Sequence, residues 1–200
     1  SAFRTLGKVL SMEERGEALG SFVDRTLAMA AENKAKIKEE EVVSVMYATT
    51  SDGLGTNAKG STQAQVLDIV GAENAIVVEN VSDKGGGNQI NLETAMMADP
   101  DVIIFTEESI YKEVSTLSGW KEMTAVKNGS YYMVPTMPYN WLGNPPSMNM
   151  LIGVWWLGNL LYPDYYSYSM FENYREIYSL RGGYDLSVEE AETMLERAKN

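Results

Sequence analysis

Two carboxylate pairs, a glycine triplet and one aromatic–amide segment are the residues here with chemistry to offer. The pairs are Asp99/Asp101 and Glu107/Glu108. Acid–base catalysis needs carboxyls in environments that push their pKa values apart. The first pair instead brackets Pro100 at a helix-to-strand turn. The second opens a helix. Acidic residues cap backbone N–H groups at both kinds of position, so capping is their expected role and no catalytic residue is assigned. The chain has no His and no Cys. That removes His-dependent triads, thiol nucleophiles, disulfides and Cys/His metal sites, and no metal ligands are assigned.

Gly85-Gly86-Gly87 can bring backbone N–H groups close to a ligand without side-chain obstruction. The run Lys84 to Gln89 lacks the spacing of a dinucleotide fingerprint, and no phosphate loop occurs elsewhere. A plain flexible turn is the competing reading. Tyr139-Asn140-Trp141 offers two flat rings and an amide in a proline-fenced loop, which suits a large or flat organic ligand. The competing reading is that Trp141 plugs its own lobe. Glu93 follows the glycine loop in the first turn of a helix, where the helix dipole favours a carboxylate. It is also placed to meet a basic partner at a rim. Trp155, Trp156 and the tyrosines of residues 165–178 have helical spacing and apolar neighbours, so they read as core.

The elements that must position these residues alternate. Residues 11–38 predict one long helix, with Ser11 and Glu14 as a capping box and Leu19, Val23, Leu27 and Ala30 as its stripe. At 1.5 Å per residue it spans roughly 40 Å, the length of a strut between two bodies. Strands are predicted at 42–48, 75–78, 102–106 and 131–134. The run 102–106 is the most apolar and therefore central. Helices are predicted at 61–70, 91–98, 108–117, 119–126, 147–161, 165–178 and 188–199, the last behind a Ser187/Glu190 capping box. Loops cover 49–60, 81–89 and 135–146. This alternation predicts an α/β fold: a parallel-sheet, three-layer α/β/α lobe preceded by a long helix. Ligands of such sheets bind beyond the carboxyl ends of the strands, where the three loops and residues 106–111 would lie.

The formal charge of −12 disfavours nucleic acid and anionic lipid as partners. The longest apolar stretch, 148–162, is broken by Asn149, Gly153, Gly158 and Asn159 and is too short to span a bilayer.

Five stretches, taken in order, resemble the C-terminal half of the helical-backbone periplasmic binding proteins of metal-complex ABC importers. They are Phe3-Arg4-Thr5-Leu6-Gly7; Gly53-Leu54-Gly55-Thr56 with Gly60-Ser61; Asn91-Leu92-Glu93 with Asp99-Pro100-Asp101-Val102; Trp120 with Ala125 to Gly129; and Tyr131 to Pro135 through Trp141, Pro145-Pro146-Ser147 and Trp156-Leu157.

The resemblance implies two lobes joined by a rigid helix, with cargo held between them. Residues 1–38 would be the inter-lobe helix and its lead-in, and 39–200 the C-terminal lobe, with the N-terminal lobe absent from these residues. It implies a cleft lined by Gly86, Gly87, Asn88, Tyr139, Asn140 and Trp141, and permease docking through Glu93. Haem-binding members often use His or Tyr on iron; with no His here, either Tyr111 or Tyr139 would substitute or the missing lobe would supply the ligand. The implied protein is an extracytoplasmic substrate-binding component, periplasmic or lipid-anchored, monomeric and without a cofactor of its own. It would carry an iron complex (siderophore or haem); cobalamin and molybdate or tungstate remain alternatives. An α/β transferase or nucleotide-dependent enzyme, and a module dimerising through the long helix, are the readings from other classes.

Overall fold

The computed structural model describes residues 2–82, 84–137 and 139–196. Two helices lead: α1 (Ala2–Val9) and α2 (Glu13–Lys34). The single helix expected from residue 11 is therefore preceded by another. Ser11 turns the chain between them with φ 53°, which rules out the extended backbone an N-cap requires. The 22 residues of α2 span roughly 33 Å.

The buried stripe of α2 also differs from the expected one. Phe22, Thr26, Met29, Ala30 and Asn33 are buried, while Leu27 is exposed. Two polar residues tolerate that face because they find partners there. Thr26 Oγ1 accepts from Trp155 Nε1 at 3.2 Å, and Asn33 Nδ2 donates to the Tyr168 hydroxyl at 3.3 Å.

Among the described residues six strands form one sheet: β1 (Ser44–Thr49), β2 (Gly55–Thr56), β3 (Glu73–Asn74), β4 (Asn88–Gln89), β5 (Val102–Phe105) and β6 (Tyr131–Met133). The order is β4-β2-β1-β5-β6, with β3 also on β1. The β3–β1, β1–β5 and β5–β6 pairs are parallel, as the alternation predicts. β2 and β4 add antiparallel rungs inside segments read as loops. The strand expected at 75–78 is the rung Glu73–Asn74. After it the Asn74 side chain bonds the Asn57 carbonyl and the Ile76 N–H, turning the chain off the sheet.

Helices cover both faces. They are α3 (Gln65–Val70), α4 (Leu92–Ala98), α5 (Glu108–Glu113), α6 (Thr124–Lys127), α7 (Asn149–Leu161), α8 (Met170–Gly182) and α9 (Val188–Glu196). Strand alternation divides the core. Val45, Tyr47, Val102 and Ile104 pack with α2, α3, α7 and α8. Met46, Ala48, Ile103 and Phe105 pack with α4, α5 and α6. The result is the expected three layers.

Helix α8 begins five residues later than read, because Ser169 Oγ accepts from Glu172 N and caps it there. Tyr165 and Tyr166 stay outside as tethers, donating to Glu41 and to the Ala30 carbonyl. The Ser187/Glu190 capping box forms reciprocally at 2.9 and 3.2 Å. The end of that predicted helix, 197–199, lies outside the described residues.

Candidate ligand-binding edge

The parallel register aligns Ala48 with Phe105 and Phe105 with Met133. The carboxyl ends of β1, β5 and β6 are therefore level, and the segments leaving them share one edge of the sheet. At the β5 and β6 ends this edge holds an open concavity of about 760 Å³, lined by Thr106, Glu107, Tyr111, Lys112, Pro135 and Met137 among others. Lys112 Nζ pairs with Glu108 at 2.6 Å. Tyr111 packs edge-on against Tyr131, with ring centroids 5.6 Å apart. Burial raises the pKa of its hydroxyl, so the phenol stays protonated near neutral pH.

The glycine triplet reaches the β1 end of the same edge. Thr49 Oγ1 donates to the Gly86 carbonyl at 2.6 Å. Gly87 lies on the β2 backbone so closely that a Cβ there would sit 2.0 Å from the Thr56 carbonyl oxygen. Its φ of 69° is a second reason for glycine. The Asn88 side chain serves its own loop, accepting from Ser82 N and donating to the Asn80 carbonyl.

The other segment reaches β1 as well. Tyr47 Oη donates to Asn140 Oδ1 at 3.2 Å. Tyr47 and Thr49 are two apart on one strand and point to the same face. Both loops are thus anchored on the last residues of β1, the glycine loop through Thr49 and the Tyr139–Asn140 loop through Tyr47.

They do not present all the expected side chains. Tyr139 is 53% exposed and stands on the edge. Trp141 is 0% exposed: its Nε1 donates to the Met137 carbonyl at 2.8 Å, and its ring packs on Trp156 and Tyr174. The expectation that Trp141 contacts ligand is corrected, because the indole plugs its own lobe. Asn140 is corrected too. It is 7% exposed, and its Oδ1 accepts from Tyr47 and from the Leu142 and Gly143 N–H groups.

Glu93 stands exposed in the first turn of α4, which Asn91 caps by accepting from Thr94 N at 2.7 Å. One turn on, Met97 is also exposed.

Sequence reasoning placed Thr106 and Met137 only within edge segments and missed Met133 as a lining residue, and Tyr47 and Thr49 as anchors. Thr49 carried a signal, a polar residue closing an apolar run; Tyr47 carried none. Asp99 and Asp101 bond backbone N–H groups of other elements rather than capping their own turn, accepting from Thr124 N of α6 and Ser44 N of β1 respectively. Among the described residues no His, Cys, Asp and Glu group has the clustering to hold a metal ion. No helix among them is long and apolar enough to cross a membrane.

This three-layer lobe, with its loop-bearing sheet edge and leading helices, has known counterparts. The Periplasmic binding protein family matches residues 1–137, and the chain belongs to that family. It is 26% identical over 160 residues to the uncharacterized ABC transporter substrate-binding lipoprotein YvrC of Bacillus subtilis (strain 168), covering 80% of this chain and 48% of that protein. The structure of an ABC transporter solute binding protein from Sulfurospirillum deleyianum DSM 6946 superposes with TM-score 0.88 at 31% identity, over 98% of this chain and 60% of the other. The molybdate-bound MolA periplasmic binding protein of Haemophilus influenzae shares the fold, with TM-score 0.73 and 19% identity over 92% of this chain and 56% of MolA. The chain therefore spans about half the length of its curated relative.

Proposed function

We propose that this chain is the C-terminal lobe, with the connecting helix, of an extracytoplasmic substrate-binding component of an ABC importer, and that its cargo is an iron complex. Residues 1–38 are the connecting part and 39–200 the lobe. The observation that carries the cargo reading is the concavity beside Tyr111 and its lining. Its volume is that of a site for an organic-sized ligand. Its one lysine is paired with Glu108, and Glu107 adds a further negative charge. Such a wall suits a neutral or cationic complex better than a bare oxyanion. Tyr111 and the exposed Tyr139 supply ring faces for the organic shell.

The exposed Leu6, Val9, Leu10 and Met12 support a companion body. They gather at the α1–α2 turn as an apolar surface of the kind that marks an interface. In this reading Glu93 docks on a basic patch of the permease, and the protein is a monomeric binder with no catalytic role and no cofactor. It resides in the periplasm or on a lipid anchor.

The test is to express the full-length protein, identify what co-purifies by mass and metal analysis, and titrate it with a ferric hydroxamate complex, haem, cobalamin and molybdate. The ferric complexes are expected to bind. Glu93→Ala is expected to keep cargo affinity while uptake falls about tenfold or more, the loss of one good charge contact. Binding of molybdate alone overturns the cargo reading, and normal uptake by Glu93→Ala overturns the docking role.

A further inference from the structure

Buried polar side chains in this lobe generally find partners. Thr26 meets Trp155, Asn74 spans a carbonyl and an N–H, and Asn140 gathers three donors. One stretch departs from this. Thr56 Oγ1, Ser61 Oγ and both amide atoms of Asn57 form no well-aligned hydrogen bond in the protein, the Tyr47 hydroxyl being a nearby polar neighbour of Asn57, although these residues are 0%, 1% and 1% exposed. All three lie from the end of β2 to the approach to α3. A buried amide offers two donors and two acceptor sites, and leaving them dry is disfavoured strongly enough that native proteins rarely do so.

This stretch is also the floor beneath the glycine loop. A Cβ on Gly87 would lie 2.9 Å from Asn57 Oδ1. Above it the outer side of the loop is open, while the Gly86 carbonyl is held by Thr49 Oγ1. A Cβ on Gly85 would meet nothing within 4 Å, and one on Gly86 would meet only Thr50 Cγ2, at 3.6 Å. What lies under Gly87 therefore adds to the Thr49–Gly86 hydrogen bond and the β2–β4 pairing in holding residues 84–87.

We propose that Asn57 and Ser61, with Thr56, line a polar recess that binds ordered water, and that this water fastens the glycine loop to the lobe. The ligand class follows from the lining. Amide and hydroxyl groups are uncharged donors and acceptors, which is what a buried water requires. Asn57 is thus a positioning residue for the loop. The inference stands independently of the cargo.

Two measurements on the full-length protein test it. A crystal structure fine enough to show solvent is expected to place water within hydrogen-bonding distance of the Asn57 amide and Ser61 Oγ. A recess without water overturns the proposal. Asn57→Leu keeps the branched shape, with somewhat more bulk, and removes the polar group without stranding a protein partner. Its thermal midpoint is expected to hold, while amide exchange across residues 84–87 quickens about tenfold or more. Unchanged exchange there overturns the fastening role. Ser61→Ala provides the same readout if Asn57→Leu does not fold.

Discussion

Tyr47 donates its hydroxyl to Asn140 Oδ1 at 3.2 Å, joining the central strand to a loop 93 residues away. The same oxygen accepts from Leu142 N at 2.8 Å and Gly143 N at 3.1 Å. Burial raises the Tyr47 pKa well above that of a free phenol, so it remains a neutral donor at any physiological pH. Removing the acceptor strands three donors; removing the phenol strands none of the backbone pair. Asn140→Ala is expected to cost about 2–4 kcal/mol, and Tyr47→Phe about 1 kcal/mol. Urea midpoints at constant m-value check both. Equal losses would mean that the loop is not organised around Asn140.

The Tyr139–Trp141 segment divides into an outward and an inward ring. Trp141→Ala opens a cavity among Trp156 and Tyr174 and is expected to cost about 3–5 kcal/mol. Tyr139→Ala removes an exposed ring and is expected to change stability by less than about 0.5 kcal/mol, while weakening cargo binding. Chemical denaturation and ligand titration on the same two variants separate the roles. A stable Trp141→Ala protein that loses only cargo would reverse them.

Within the glycine triplet the three positions are not equivalent. Gly87 combines φ 69° with a carbonyl 2.0 Å from any added Cβ. Gly87→Ala is expected to cost at least about 2 kcal/mol, from left-handed strain and the displaced β2 backbone. Gly85→Ala meets nothing within 4 Å and is expected to stay within about 0.5 kcal/mol. Matched thermal melts decide; indistinguishable midpoints would make the triplet a plain flexible turn.

What could be read from the sequence was local. The four apolar residues of β5 announce a strand buried on both faces, and Val102–Phe105 is buried throughout. Gly71 ends α3 in the left-handed conformation that its type predicts, and Ser187 with Glu190 closes its box. What could not be read depends on distant partners. Thr26 belongs to the buried face of α2 only because an indole 129 residues away needs an acceptor. β2 and β4, two residues each, are too short for any periodicity to show. The edge itself was legible, since strand order places loops at carboxyl ends. Which side chains face it was not. The inward turn of Trp141 is set by Trp156 and Tyr174, and nothing in Tyr-Asn-Trp encodes that.

Asp99 links two elements through its charge and so ties stability to pH. It ends α4 with φ 33°. Its carboxylate accepts from Thr124 N at 2.8 Å and Thr124 Oγ1 at 2.7 Å. Those bonds, with the charge of Lys127 adding less, hold its pKa below the ordinary carboxylate value. A folded-state pKa lower than the unfolded one means that the unfolded chain binds more protons between the two values, so stability rises with pH across that window. The contribution is complete above the unfolded pKa of about 3.9 and fades as pH falls through the folded value. Asp52, held down by Thr50 and Leu54 N, has the same sign. Asn accepts the left-handed backbone and keeps an oxygen for Thr124 N but carries no charge. Asp99→Asn is therefore expected to lose less than about 1 kcal/mol at neutral pH, since solvent screens this exposed site. It is also expected to flatten part of the decline between about pH 5 and pH 2. Urea midpoints across that range measure the slope. An acid limb as steep in the variant as in the parent would show that the Thr124 contacts do not favour the ionised carboxylate.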